Sequence, residues 1–182
     1  MRSALQALHA VPPVATTPPT EGAGIDTRAL RDALGRCPTG VTIVTLLDAN
    51  ARPLGLTANS FNALSLDPPL VVWSLRESSP TLPALLGGGF FVVNVLAEGQ
   101  VELSRRFATS AIDKFADTAW AANEEGVPLL HGAAAWIACR TVSHQQAGDH
   151  VLFIGQVLRF SATDQAPLVF HGGGYRLLGE RL

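Results

Sequence analysis

The chain is short of the residues that would build a metal site, a disulfide framework or an electrostatic grip on nucleic acid. Its 182 residues include 2 cysteines and 5 histidines. Cys37 and Cys139 stand far apart and form no CxxC pair, which argues against a zinc or dithiol site and for a reducing, cytoplasmic home. His9, His131, His144, His150 and His171 show neither HxH nor HExxH spacing, so no metal is expected. Positive charge is scarce too. The 13 Lys and Arg stand against 15 Asp and Glu, a net charge of -2, and Lys114 is the single lysine. Neither nucleic acid nor an anionic membrane is an expected partner of such a surface. Long apolar runs are missing as well. Ser78 to Ala97 carries no charge, but Pro80, Pro83, Gly87 to Gly89 and Asn94 divide it into a short helix and a strand. A membrane span needs about 20 continuous apolar residues. Arg2 is followed by no apolar core, so no signal peptide is expected, and the reading is of a soluble intracellular protein.

Residues 1–24 contain Pro12, Pro13, Pro18 and Pro19 and few charges, a composition that predicts a flexible tail ahead of one domain at 25–182. Asp26 is a good N-cap, Ile25 and Leu30 occupy staple positions, and Leu30, Ala33 and Leu34 give one apolar helical face, so a helix is predicted to about Arg36, before Pro38. VTIVTLL after Gly40 predicts a strand buried on both faces. LGLTANSF and LVVWSL follow as two further strands, separated by the SLDPP turn, and such short connections predict antiparallel neighbours. A short helix at Pro80–Leu86, the strand FFVVNVL and a surface helix in EGQVELSRRFA come next. GAAAWIACRTVSH and HVLFIGQVLRFSAT read as a long hairpin, and PLVF and YRLL as closing strands. About seven strands with short flanking helices predict a mainly β fold, an antiparallel barrel with few exposed edges. No βαβ alternation is present, hence no Rossmann domain.

Several segments offer chemistry. In RESSPTLPALL, Ser79 fits an N-cap and Pro80 the first helical residue, so the hydroxyls of Ser78, Ser79 and Thr81 would surround free N–H groups suited to a phosphate; plain capping is the alternative. In GLTANSF, Thr57 and Asn59 face one way and Ala58 and Ser60 the other, so a strand between two apolar ones carries polar groups on both faces. Either a bound heteroaromatic edge or solvent would satisfy them. Arg105 and Arg106 end a helix, where they complement its dipole or offer a guanidinium to a phosphate. Asp149 and His150 stand where a hairpin opens, and HGGGY, outside any βαβ context, reads as a turn.

Taken in order, RDALGRCPTGVTIVT (31–45), GLTANSFNALSLDPPLVVWSL (55–75), SSPTL (78–82), FFVVNVLA (90–97), LSRRFA (103–108), PLLHGAAAWIAC (128–139), GDHVLFIGQV (148–157) and PLVFHGGGYR (167–176) resemble the flavin reductase family of the FMN-binding split barrel, over about residues 28–178. The resemblance implies a homodimer of Greek-key split barrels that binds FAD or FMN and takes hydride from NADH or NADPH. It implies that Thr39 and Thr57, Ala58, Asn59 and Ser60 contact the isoalloxazine edge. It places Ser78, Ser79 and Thr81 with Arg106 and Phe107 around the phosphate and ribityl chain, His150 on the nicotinamide side as the catalytic candidate, and Tyr175 near the flavin pocket. Reduced flavin would pass to a flavin-dependent monooxygenase, an aromatic or natural-product hydroxylase. The alternatives are a split-barrel oxidase with prosthetic flavin and a non-enzymatic flavin sensor. Cys37, and Asn62 with Ala63, depart from the commonest pattern of the family at the flavin edge.

Overall fold

A computed structural model of the chain describes residues 24–110 and 113–180. In chain order the elements are α1 (Thr27–Leu34), β1 (Thr39–Gly40), β2 (Thr42–Leu47), β3 (Pro53–Ala58), β4 (Asn62–Leu66), β5 (Pro69–Arg76), α2 (Leu82–Leu86), β6 (Phe90–Val95), α3 (Val101–Phe107), β7 (Trp120–Ala122), β8 (Pro128–Leu130), β9 (Ala135–Ala147), β10 (His150–Ala162), β11 (Val169–His171) and β12 (Gly174–Arg176). Seven strands form one sheet in the order β3-β2-β6-β9-β10-β5-β4, every pair antiparallel. The predicted tail lies, except for Gly24, outside the described residues.

Burial explains the sheet's order. Strand β2 is enclosed on both faces, with Ile43, Val44 and Thr45 at 0 % exposure, as its run of apolar and threonine residues predicts. Along β5 the buried residues alternate, and Val71, Trp73 and Leu75 point inward. Trp73 stacks on Phe153 at 5.2 Å and meets Phe91 at 5.8 Å, which gives the barrel an aromatic centre. Asn94, at 0 % exposure, is the polar exception. Its Nδ2 donates to the Ile43 carbonyl and to Thr45 Oγ1, and its Oδ1 accepts from the Leu130 N–H, so both ends of the buried amide are satisfied, two of the bonds going to backbone and one to a side chain.

Three expectations are corrected. The strands LGLTANSF and LVVWSL do not pair. An unpredicted strand, β4, lies between them in sequence, forms the hairpin with β5, and sends β3 and β5 to opposite sides of the sheet. Among the described residues nothing buries the apolar face of α1: Asp26 caps it as predicted, accepting from the Arg28 and Ala29 N–H groups, yet Ile25, Leu30 and Leu34 are exposed. Helix α2 starts later than Pro80, because Pro83 has no N–H to donate to the Ser79 carbonyl. A tighter Leu82 N–H to Ser79 O bond holds the turn instead. The small sheets also escaped the sequence reading. Strands β7 and β8 form a two-stranded piece, and β1 joins β11 and β12 in a second sheet. The HGGGY segment is indeed a turn there, with Gly172 and Gly173 at φ 58° and 79°.

Candidate functional site

Strands β3 and β5 face each other without a ladder, and the gap between them is closed by one side chain. Ser60 Oγ donates to the Ser74 carbonyl and accepts from the Ser74 N–H, both at 3.0 Å. A cleft of about 680 Å³ opens along this split, within the roughly 300–1,000 Å³ of small-molecule and cofactor sites. Its walls are β3 and the residues that follow it to Ser60, the end of β5 at Ser74–Arg76, the turn Ser78–Thr81, the chain leaving α3 from Phe107 to Ser110, and Asp113–Phe115. His150 stands at the start of β10, where the ladder pairs it with Arg76, so both reach the same cleft.

The apolar part is tightly fitted. Phe107, at 1 % exposure, meets Phe115 edge-on at 5.0 Å. A Cβ on Gly55 would lie 2.5 Å from the Phe107 ring, so only glycine lets the ring close on β3. The polar part is mixed. The Thr57 hydroxyl donates inward to the Ser104 carbonyl at 2.6 Å, whereas Asn59 is exposed. Ser79 Oγ accepts from the Thr81 N–H at 3.3 Å. His150 Nδ1–H donates to Asp149 Oδ1 at 2.7 Å. That hydrogen bond, reinforced by the imidazole's charge, holds the Asp149 carboxyl below the usual carboxylate range. It also leaves Nε2 as the ring nitrogen that can accept from, or carry a proton to, a ligand.

Of the residues singled out from sequence, Thr57, Ala58, Asn59, Ser60, Ser78, Ser79, Thr81, Phe107 and His150 line this cleft. Three do not. Thr39 sits in β1, paired with Phe170 of β11 in the second sheet. Arg106 is drawn to the loop beyond α3, where its guanidinium donates to the Ala116 carbonyl at 2.8 Å and to Thr118 Oγ1 at 3.2 Å. Tyr175 packs edge-on against Phe170, its hydroxyl 3.0 Å from Ser104 Oγ, in the cluster beneath α3. The sequence reading missed Arg76 and Lys114 on the cleft wall. Lys114, the only lysine, was a visible signal that stood outside every quoted motif.

Residues 34–179 match the family model described as flavin reductase like domain. Among similar proteins, the chain is 43% identical over 152 residues to FMN reductase (NADH) SmoA of Agrobacterium fabrum, covering 84% of this chain and 86% of that one. It is 41% identical over 148 residues to the reductase component of the flavin-dependent trigonelline monooxygenase of Acinetobacter baylyi, covering 81% and 48%. The chain spans about half the length of some of these relatives. Among solved structures, the Streptomyces globisporus C-1027 NADH:FAD oxidoreductase SgcE6 in complex with NAD and FAD fragments superposes with a TM-score of 0.81 at 34% identity, covering 87% of this chain and 97% of that one. With this match over most of its length, and with the cleft at the split of an antiparallel barrel, the chain belongs to the flavin reductase like domain family.

Proposed function

We propose that this chain is an NAD(P)H:flavin oxidoreductase that reduces FAD or FMN and releases reduced flavin to a flavin-dependent monooxygenase. The observation that carries the reading is the composition of the cleft: an apolar wall of Leu54, Leu56 and Phe107 faces hydroxyls at Ser78, Ser79 and Thr81, with Arg76 and His150 at its rim. Such a donor set fits a planar heteroaromatic ring that carries a polar edge and an anionic tail. Bound there, flavin supplies the chemistry, as acceptor of the hydride that reduced nicotinamide carries.

The chain's own part is to bind and align. Phe107, fixed by Gly55 and Phe115, gives a rigid surface that keeps water from one side of the cleft. Hydroxyls at Ser78, Ser79 and Thr81 receive the polar chain of the cofactor. His150, held by Asp149, offers Nε2 to the carboxamide of the nicotinamide and keeps the two rings in register. None of these roles requires a nucleophile. NADH is the proposed donor, in line with the names of the relatives.

We also infer a cytoplasmic homodimer. Both cysteines are free, Cys37 exposed and Cys139 buried. Among the described residues, no helix is long and apolar enough to cross a membrane. Exposed apolar residues at Ile25 and Leu34 of the α1 region, Leu66 and Phe160 support self-association. Steady-state oxidation of NADH and of NADPH by the purified chain, with and without added FAD, FMN or riboflavin, tests the activity. Turnover that depends on added flavin is the expected result. A yellow protein without flavin-dependent turnover would replace the reductase reading by a prosthetic or sensory one.

A further inference from the structure

The last rung of the ladder between β5 and β10 sets a cation beside the histidine at the cleft rim. Arg76 ends β5 directly opposite His150, so the two side chains leave the sheet on the same face, and both line the cleft. One bond beyond the ladder, the Glu77 N–H donates to the Asp149 carbonyl at 3.0 Å and ties the two strand ends together. The backbones that carry Arg76 and His150 therefore keep a fixed spacing.

Within the fold the Arg76 guanidinium has no acid to itself. It is exposed, and among the described residues none of the ion pairs includes it. Asp149 feels its charge, but that carboxylate is bound to His150 Nδ1 at 2.7 Å. Asp113, the acid among the described cleft-lining residues, turns its Oδ1 to the Phe115 and Ala116 N–H groups, 3.0 and 2.9 Å away. Lys114, on the β3 side of the cleft, is held by the Gly55 and Phe107 carbonyls. Arg76 thus brings an uncommitted, planar cation to the β5 side, next to His150.

We propose that Arg76 takes the phosphates of the nicotinamide nucleotide and so makes the cleft select a phosphorylated dihydronicotinamide as its hydride donor. The assignment rests on the reductase reading above, in which His150 Nε2 holds the carboxamide. One ribose separates the nicotinamide ring from its first phosphate, and a cross-strand neighbour of His150 has the side-chain length to span that gap. A guanidinium suits the task because its parallel N–H groups meet two phosphate oxygens at once, and an open rim leaves the rest of the dinucleotide in solvent. The arrangement also gives a nicotinamide nucleotide a phosphate grip in a sheet whose strands are all antiparallel, where no glycine-rich turn between a strand and a helix supplies one.

The test is steady-state reduction of added FMN by the full-length chain, with NADH compared to reduced nicotinamide riboside, which has the same ring and ribose and no phosphate. Arg76→Met should lower kcat/KM for NADH about five- to tenfold, the loss of a charge-assisted pair discounted for the open rim. With the riboside kcat/KM should stay within about twofold, and so should the dissociation constants of FMN and FAD. Arg76→Lys, which keeps the charge and loses the fork, should recover part of the NADH rate. In the unaltered chain the preference for NADH over the riboside should shrink as salt rises from about 0.05 to about 0.5 M. This arm holds even where Arg76→Met does not fold. Equal loss with both donors, which would make Arg76 a support for His150 or the ring, overturns the proposal. So does weaker binding of either flavin, unchanged NADH kinetics in Arg76→Met, or a preference indifferent to salt. Absence of flavin reduction by the unaltered chain with any donor would sink the reductase reading itself, and this assignment with it.

Discussion

His150 shows how much a residue's role depends on its neighbour. Alone on a hairpin it reads as a surface imidazole; with Nδ1–H bound to Asp149 and Arg76 opposite it in the ladder, it becomes an oriented group at a cleft rim. If it aligns the nicotinamide through one hydrogen bond, worth about 0.5–1.5 kcal/mol net, His150→Ala should lower kcat/KM for NADH roughly three- to tenfold while flavin affinity stays unchanged. Steady-state kinetics with flavin binding measured alongside decide it, and unaltered KM and kcat would remove His150 from the reaction. The sequence made His150 legible through its place in GDHVLFIG, and the hydroxyls of Ser78, Ser79 and Thr81 through the SSPTL segment. Arg106 and Tyr175, which the resemblance also put at the flavin, stand outside the cleft wall. Sequence puts Arg106 on α3 and Tyr175 in a late strand, and only the tertiary fold decides that Arg106 bends to the Ala116 carbonyl and that the Tyr175 hydroxyl comes 3.0 Å from Ser104 of that helix.

At the scale of elements, long strands with plain burial patterns were readable and short ones were not. VTIVTLL and FFVVNVL are β-branched and apolar enough to be strands in any context. NALSL became β4 through pairing with β5, on an edge where Leu64 and Leu66 remain exposed, and no local pattern announced it. Packing between strands sets the next prediction. A Cβ on Gly155 of β10 would meet the Phe91 ring at 2.4 Å and the Cys139 side chain at 3.2 Å. Gly155→Ala should therefore cost about 1–3 kcal/mol of unfolding free energy, as overpacking does. Urea titration measures this. Gly87→Ala, at a helix end with φ −66° and open space around it, is the control and should stay within about 0.5 kcal/mol of the parent.

At the scale of the whole molecule, the barrel hides its centre and leaves a helix uncovered. The apolar helical face read from Leu30, Ala33 and Leu34 lies on the outside, with Leu34 66% exposed. The periodicity was readable; what covers it was not, because amphipathicity specifies burial and not the chain that provides it. If a second copy covers this face, sedimentation should give twice the mass of the chain, and Leu34→Glu should shift the population toward monomer. A monomer at all concentrations would withdraw the homodimer.

The closure through Ser60 bears on how this molecule moves. Elsewhere around the barrel, separating two strands means breaking a whole row of main-chain bonds. At the split two bonds to a single hydroxyl, together worth about 1–3 kcal/mol net, take the place of that row, beside the apolar packing that Leu56 and Ala58 share with Val71, Trp73 and Leu75. The barrel therefore has a seam, where side-chain packing and one hydroxyl do the work that a ladder does elsewhere, and where opening breaks fewer main-chain bonds than it would between paired strands.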